Sequence, residues 1–183
     1  MSGAPAWIPP GPALLFCPAD RPERYGKAAE RADVVIVDLE DAVAPADRPA
    51  AREALTASHL DPDRTIVRVN PVDTEDHALD LEALAATGYR CVMLAKTESA
   101  AQVTDVHSAT GAAVLALVET PLGVVRAEEI ASALGLTSAA VRMRLTRARR
   151  ALKDLLTEKE VKSHDPGHVQ EAVQGCRTGA RAD

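Results

Sequence analysis

The feature that most constrains the fold is a repeat of short apolar runs, each followed by a longer stretch of helical period. Runs such as VVIVDL and TIVRVN have the length and the β-branched content of strands. Strands that are apolar at nearly every position are typical of a parallel sheet with helices on its faces. The sequence therefore predicts an α/β fold, either an open doubly wound sheet or a (β/α)₈ barrel. The predicted strands are 13–19, 34–39, 65–70, 91–96 and 114–119, and the predicted helices between them are 23–32, 48–58, 78–87 and 99–108.

Polar side chains stand at the carboxyl end of every predicted strand. In both candidate architectures these strand ends open onto the crevice where ligands bind. We therefore expect the charged residues at these positions to bind ligands or take part in catalysis, rather than to be solvated loop residues or members of ordinary ion pairs. The residues are Asp20, Arg21, Asp38, Glu40, Asp41, Arg68, Asn70, Lys96 and Glu119.

Composition excludes several classes of protein. Aromatic residues make up only 2% of the chain, so there are almost no side chains on which nucleic-acid bases could stack. The cysteines Cys17, Cys91 and Cys176 are odd in number and widely spaced, which argues against a disulfide framework and a thiolate metal site. The N-terminal segment lacks a basic stretch and its apolar run is cut by prolines, so we expect a soluble cytoplasmic protein without a membrane span.

The charge changes sign along the chain. Residues 1–126 hold 11 Lys and Arg against 19 Asp and Glu, whereas residues 127–183 hold 10 against 8. The second part reads as a helix over 125–134, a turn at Gly135 and a longer helix over 138–156 with an apolar stripe. The polar tail that follows is expected to be mostly disordered. We predict three units: 1–126, 127–157 and 158–183.

Five motifs in order carry a resemblance to a known family. They are FCPADRPERYGKAA, DVVIVDLEDAVAP, TIVRVN, VMLAKTESAAQV and LALVETPLGV, within residues 7–127. This pattern resembles the citrate lyase β-subunit-like branch of the HpcH/HpaI aldolase family. The resemblance implies a TIM barrel that uses Mg²⁺ to cleave or form the carbon–carbon bond of a 3-hydroxyacyl-CoA thioester, with an acyl-CoA and a small oxo acid as partners.

The same resemblance implies roles for individual residues. Arg68 would bind the carboxylate and thioester oxygens, for which its forked donors are suited. Glu119 would be a carboxylate ligand of Mg²⁺, a cation that prefers oxygen. Glu40 and Asp41 would orient the arginine and the metal-bound waters. The residues expected to meet CoA phosphates are Arg21, Arg24 and Lys27.

The chain also departs from the family. Only five strands are found where the barrel has eight, and nothing after Glu119 matches the Gly-x-Glu-Asp-like segment that supplies a second metal carboxylate. The expected fold is thus an incomplete barrel of about five parallel strands, followed by a helical segment. Its first and last strands would be open edges, so we expect weak stability or self-association as a homo-oligomer.

A second resemblance covers residues 128–156, which look like the helix-turn-helix of region 4 in sigma-70-type transcription factors. Six cations in twelve residues without an acid support contact with phosphates. In that alternative the chain binds DNA or RNA polymerase, with Arg142, Arg144 and Arg147 on the DNA. A further alternative is a truncated or recombined product that has neither activity.

Overall fold

The structure, a computed structural model, describes residues 7–136, and these form one five-stranded parallel sheet with helices. Each strand pairs with the next one along the chain, in the order β1-β2-β3-β4-β5. A doubly wound sheet reverses its strand order partway through, whereas a (β/α)₈ barrel does not. The predicted partial barrel of five parallel strands is therefore confirmed, and the doubly wound alternative is wrong. The strands are β1 (Leu14–Pro18), β2 (Val34–Asp38), β3 (Thr65–Val69), β4 (Cys91–Leu94) and β5 (Ala113–Ala116).

Helices connect the strands and cover one face of the sheet. The helix after β4 begins with a capping box, in which Ser99 and Gln102 satisfy each other's backbone N–H groups, and it ends at Gly111 in the left-handed conformation. The helices are α1 (Tyr25–Arg31), α2 (Arg48–Thr56), α3 (Glu75–Ala85), α4 (Ala100–Thr110), α5 (Pro121–Val125) and α6 (Ala127–Ala133).

The three central strands carry the core, since every residue of β2, β3 and β4 is buried. Alternate side chains of these strands, such as Val37, Val67 and Leu94, pack in one cluster with residues of the helices. The other face holds a smaller cluster around Ile36, Ile66 and other buried side chains. The side chains of the edge strands β1 and β5 are more exposed, because each of these strands pairs with a neighbouring strand on one side only.

The predicted boundaries differ from the observed ones mainly near the carboxyl ends of the strands. Strand β4 ends at Leu94 because Lys96 has a φ of 49°, which no extended strand permits. The helix predicted over 125–134 is observed as α6, and a separate short helix that was not predicted, α5, precedes it. Helix α5 begins where the Thr120 side chain accepts a hydrogen bond from the Gly123 N–H and Pro121 occupies the first turn. The two helices are separated at Arg126.

The predicted turn at Gly135 is present. Gly135 has a φ of 68°, and the N–H groups of Gly135 and Leu136 bond to the carbonyls of Ser132 and Ala131, a Schellman ending of α6. Helix α6 packs on α4, where a Glu129 oxygen accepts a hydrogen bond from the Ala100 N–H. The unit boundary predicted at residue 126 stays a prediction. No helix among residues 7–136 is long and apolar enough to cross a membrane.

Candidate functional site

Arg68 stands at the centre of a polar cluster at the carboxyl ends of the strands. Its Nε and Nη2 donate to the two carboxylate oxygens of Asp38, at 2.7 and 2.5 Å, so the pair is bidentate. Both residues are buried, and they lie in register on neighbouring strands. The hydrogen bonds to Asp38 raise the pKa of Arg68 above its ordinary value, so the guanidinium stays charged. Asp38 therefore fixes the orientation of this arginine.

Glu40 lies beside the free edge of the same guanidinium. Its Oε1 accepts a hydrogen bond from Lys96 Nζ, and its Oε2 lies 3.1 Å from Arg68 Nη1. Oε2 is buried and accepts no hydrogen bond in the part of the chain that the structure describes. Asp41 is mostly exposed, with one oxygen 3.7 Å from Arg68 Nη1 and the other 3.7 Å from Lys96 Nζ. A buried acceptor is thus available next to Arg68.

Lys96 joins Glu40 to Glu119. Its backbone N–H donates to Glu119 Oε1 at 3.1 Å, while its ammonium group donates to Glu40 Oε1. The hydrogen bond to Glu40 raises the pKa of Lys96, so this side chain remains protonated. Glu119 is exposed. The sequence places Arg68 and Glu119 on different strand ends, and Lys96 and Glu40 connect them.

The charges of this cluster are unbalanced. It contains four carboxylates but two cations, Arg68 and Lys96, which gives a formal charge of −2. Such a site attracts a divalent cation and repels the carboxylate anion of a free acid. The four carboxylates belong to Asp38, Glu40, Asp41 and Glu119.

A basic groove of about 300 Å³ lies between the open strand β1 and helix α1. Arg24, Lys27 and Arg31 line it together with Phe16 and other residues of β1. The Phe16 ring also contacts Arg68, whose Cζ lies 4.9 Å from the ring centroid. One aromatic side chain thus borders both the groove and the carboxylate cluster.

The structure brings together the four residues predicted for the reaction centre: Arg68, Glu40, Asp41 and Glu119. Arg24 and Lys27 line the basic groove, but Arg21 is not among its lining residues and lies 3.8 Å from Asp20. The roles of all these residues stay predictions. Arg142, Arg144 and Arg147 lie outside the described residues, so the DNA-binding alternative also stays a prediction.

Sequence reasoning missed two contributors. The strand pattern marks Asp38 as a strand-end acid but gives no sign of its bidentate pairing with Arg68. Asp80, in the middle of α3, is fully buried and accepts hydrogen bonds from the Asn70 backbone, the Asn70 amide and Arg52. Its neighbour Leu79 is 47% exposed. Hydrophobicity predicts the reverse, with the leucine buried and the aspartate exposed. Asn70 is consequently held within the fold.

The cluster matches Mg²⁺ in the kind of donor it offers. Within residues 7–136, Glu119 Oε1 accepts a hydrogen bond and Oε2 does not, while the buried Glu40 Oε2 is an acceptor for a water molecule. However, the same residues contain no group of three or more acidic, histidine or cysteine side chains that is able to hold a metal ion. The role of Glu119 as a metal ligand therefore stays a prediction.

Comparison with known proteins identifies the family that this chain resembles. A family profile described as HpcH/HpaI aldolase/citrate lyase matches residues 13–142. A citrate lyase subunit beta-like protein of Mycobacterium tuberculosis is 61% identical over 123 residues, which are 67% of this chain and 44% of the relative. An L-malyl-CoA/beta-methylmalyl-CoA lyase of Rhodobacter capsulatus is 35% identical over 149 residues, covering 68% of this chain and 47% of that enzyme.

A solved structure shows the same fold. The crystal structure of the M. tuberculosis protein CitE in complex with magnesium, acetoacetate and coenzyme A has a TM-score of 0.64 and 61% sequence identity. The match covers 67% of this chain and 45% of that one. The chain thus spans less than half the length of these two curated relatives.

Proposed function

Because the chain belongs to the HpcH/HpaI aldolase/citrate lyase family, we propose that it acts in a Mg²⁺-dependent carbon–carbon lyase on a short 3-hydroxyacyl-CoA thioester of the citryl-CoA or malyl-CoA type. The observation that carries this proposal is the continuous link from Asp38 and Arg68 through Glu40 and Lys96 to Glu119. This link joins an arginine for an acid to a carboxylate for a cation at one end of the sheet.

Arg68 binds the carboxylate of the oxo acid in this proposal. Asp38 takes one side of the guanidinium through Nε and Nη2, so Nη1 keeps N–H groups that are able to donate to a ligand. Glu119 is the protein ligand of the metal ion, and a bound Mg²⁺ supplies Lewis-acid chemistry at the oxygens of the acid. Glu40 and Asp41 hold water molecules or the arginine in place.

Further ligands come from outside residues 7–136 in this proposal. Mg²⁺ is usually held by one or two carboxylates together with water and substrate. A second copy of this chain is one source, because Leu14, Leu15 and Phe16 on the edge strand β1 are each at least 40% exposed. Apolar edge strands favour association. We therefore propose a homo-oligomer.

The negative charge of the cluster predicts an order of binding. We expect pyruvate, a small 2-oxo acid, to bind only when Mg²⁺ is present, because the cation compensates a formal charge of −2.

Glu119→Gln keeps an acceptor for the Lys96 N–H but lowers Mg²⁺ affinity by about tenfold, or 1.4 kcal/mol. Isothermal titration of the full chain with Mg²⁺, and then with pyruvate, measures both effects. Glu82→Gln, on an exposed part of α3, is the matched control.

Pyruvate binding of equal affinity with and without Mg²⁺ contradicts this order. Equal Mg²⁺ affinity in Glu119→Gln and wild type contradicts the role of Glu119 as a ligand.

The basic groove predicts where the phosphates of CoA bind. We expect Arg24→Ala and Lys27→Ala each to weaken acetyl-CoA binding by about tenfold, since charge-assisted hydrogen bonds contribute roughly 1.5–3 kcal/mol. The effect should shrink at high salt, because exposed charges are screened. Arg90→Ala is the control, since Arg90 pairs with Asp63 away from this groove. Unchanged affinity in both groove variants removes the groove from the proposal.

A further inference from the structure

We propose that Lys96 is a positioning residue that sets the two sides of the site at once. Its backbone orients the Glu119 carboxylate, and its ammonium group binds one oxygen of Glu40, whose other oxygen lies 3.1 Å from Arg68 Nη1. This inference rests on the proposed function, and it assigns a role to a residue that the family motifs left without one.

The backbone of Lys96 is held in a costly conformation. Lys96 is the one non-glycine residue with positive φ in the described part of the chain, at 49°. Such conformations persist where the surroundings determine them, and they cluster at functional sites. Here the next residue fixes the bend, because the Thr97 N–H donates to Leu117 O and its hydroxyl donates to Leu94 O. Thr97 is fully buried.

Helix α5 closes on the same bend. A Cβ atom on Gly123 would lie 2.4 Å from the Thr97 carbonyl oxygen, so only glycine allows α5 to approach this closely. Gly123 is itself fixed by the Thr120 cap. The left-handed conformation of Lys96 is therefore fixed between β4 and α5. In this conformation the Lys96 N–H donates to Glu119 Oε1.

The side chain of Lys96 acts on the other side of the site. Glu40 is 2% exposed, and its two cationic neighbours are Lys96 and Arg68. Arg68 already holds Asp38 with two of its five N–H groups. Without the lysine, Glu40 would depend on Arg68 Nη1 alone, and that edge would be less available to a ligand carboxylate. Lys96 thus shares the charge of Glu40 with Arg68, so that Arg68 Nη1 is less committed to Glu40 than it would be alone.

Two variants with the same loss of charge separate these roles. Lys96→Gly adopts positive φ without steric cost, whereas Lys96→Ala does not. In Lys96→Gly we expect Mg²⁺ to bind at least as tightly as in wild type, while pyruvate, titrated with Mg²⁺ present, binds about tenfold more weakly. In Lys96→Ala we expect Mg²⁺ affinity to fall several-fold below that of Lys96→Gly. Lys96→Arg, which restores a cation, should recover most of the pyruvate affinity.

Isothermal titration of the full chain measures these constants, with Arg90→Ala as the control. A purely structural role would lower the thermal midpoint without this split between the two ligands. Equal Mg²⁺ affinity in the glycine and alanine variants overturns the backbone role. Wild-type pyruvate affinity in Lys96→Gly overturns the side-chain role. If Lys96→Ala does not fold, the glycine and arginine variants still decide the side-chain role.

A measurement without ligand keeps this inference separate from the proposed function. In urea unfolding, Lys96→Met and Glu40→Gln should each lower the midpoint, and the double variant should lower it by less than the sum. An additive result overturns the contact between these two side chains. If the wild-type chain binds neither Mg²⁺ nor pyruvate, the proposed function fails, whereas this cycle still decides whether Lys96 holds Glu40.

Discussion

Replacement of Arg68 by methionine is expected to abolish Mg²⁺-dependent binding of pyruvate and to destabilise the fold by about 3 kcal/mol. Methionine has a similar length but leaves Asp38 buried without its bidentate partner. It also leaves Glu40 with Lys96 as its remaining cation. Urea unfolding gives the change in stability, and calorimetric titration gives the change in binding.

A second substitution separates the two effects of this variant. Asp38→Asn together with Arg68→Met removes both charges, so much of the lost stability should return, because the uncompensated buried carboxylate is gone. Pyruvate binding should not return, since no guanidinium is present. Recovery of binding in the double variant, or wild-type affinity in Arg68→Met alone, would show that the acid binds elsewhere.

The second large effect is expected at Asp80. Asp80→Ala removes the acceptor of three hydrogen bonds, two from Asn70 and one from Arg52, inside the fold. Donors that are left buried and unpaired cost about 1–3 kcal/mol each, so we expect a total loss of roughly 3 kcal/mol or more. Because Asn70 directly follows β3, the strand end that bears Arg68 should loosen as well. Urea unfolding and amide hydrogen exchange at residues 66–70 measure these two effects.

Glu82→Ala on the same helix is the control for Asp80, since Glu82 is exposed. A loss of less than about 1 kcal/mol in Asp80→Ala would indicate that water replaces the carboxylate at this position.

The sequence alone was sufficient to predict where the strands lie and that they pair in parallel. The central runs are apolar at nearly every position because helices or other side chains cover both faces, and β2 and β3 are indeed buried at each residue. The sequential order follows from the family resemblance, since both barrel and doubly wound sheets produce the same local pattern. Periodicity describes each element separately and does not specify which strands are neighbours.

The sequence predicted which residues form the candidate site, but not the contacts between them. Strand-end positions identified Arg68, Glu40 and Glu119, because parallel strands present their carboxyl ends at one edge. The connections between them depend on a positive φ at Lys96, which is a rare conformation for a lysine and has no local sequence signal. Asp80 was missed for a related reason. A carboxylate becomes buried when three donors from distant segments converge on it, and helical periodicity carries no information about those donors.

The order of the strands has a consequence for how the chain acquires its structure. Residues paired between neighbouring strands are separated by 20 to 30 positions, as in Leu14 with Val34 and Val35 with Thr65. Each βα unit therefore meets its partner soon after it leaves the ribosome, without waiting for a distant segment. The sheet is suited to growth in one direction during synthesis, with the newest strand always serving as the template for the next.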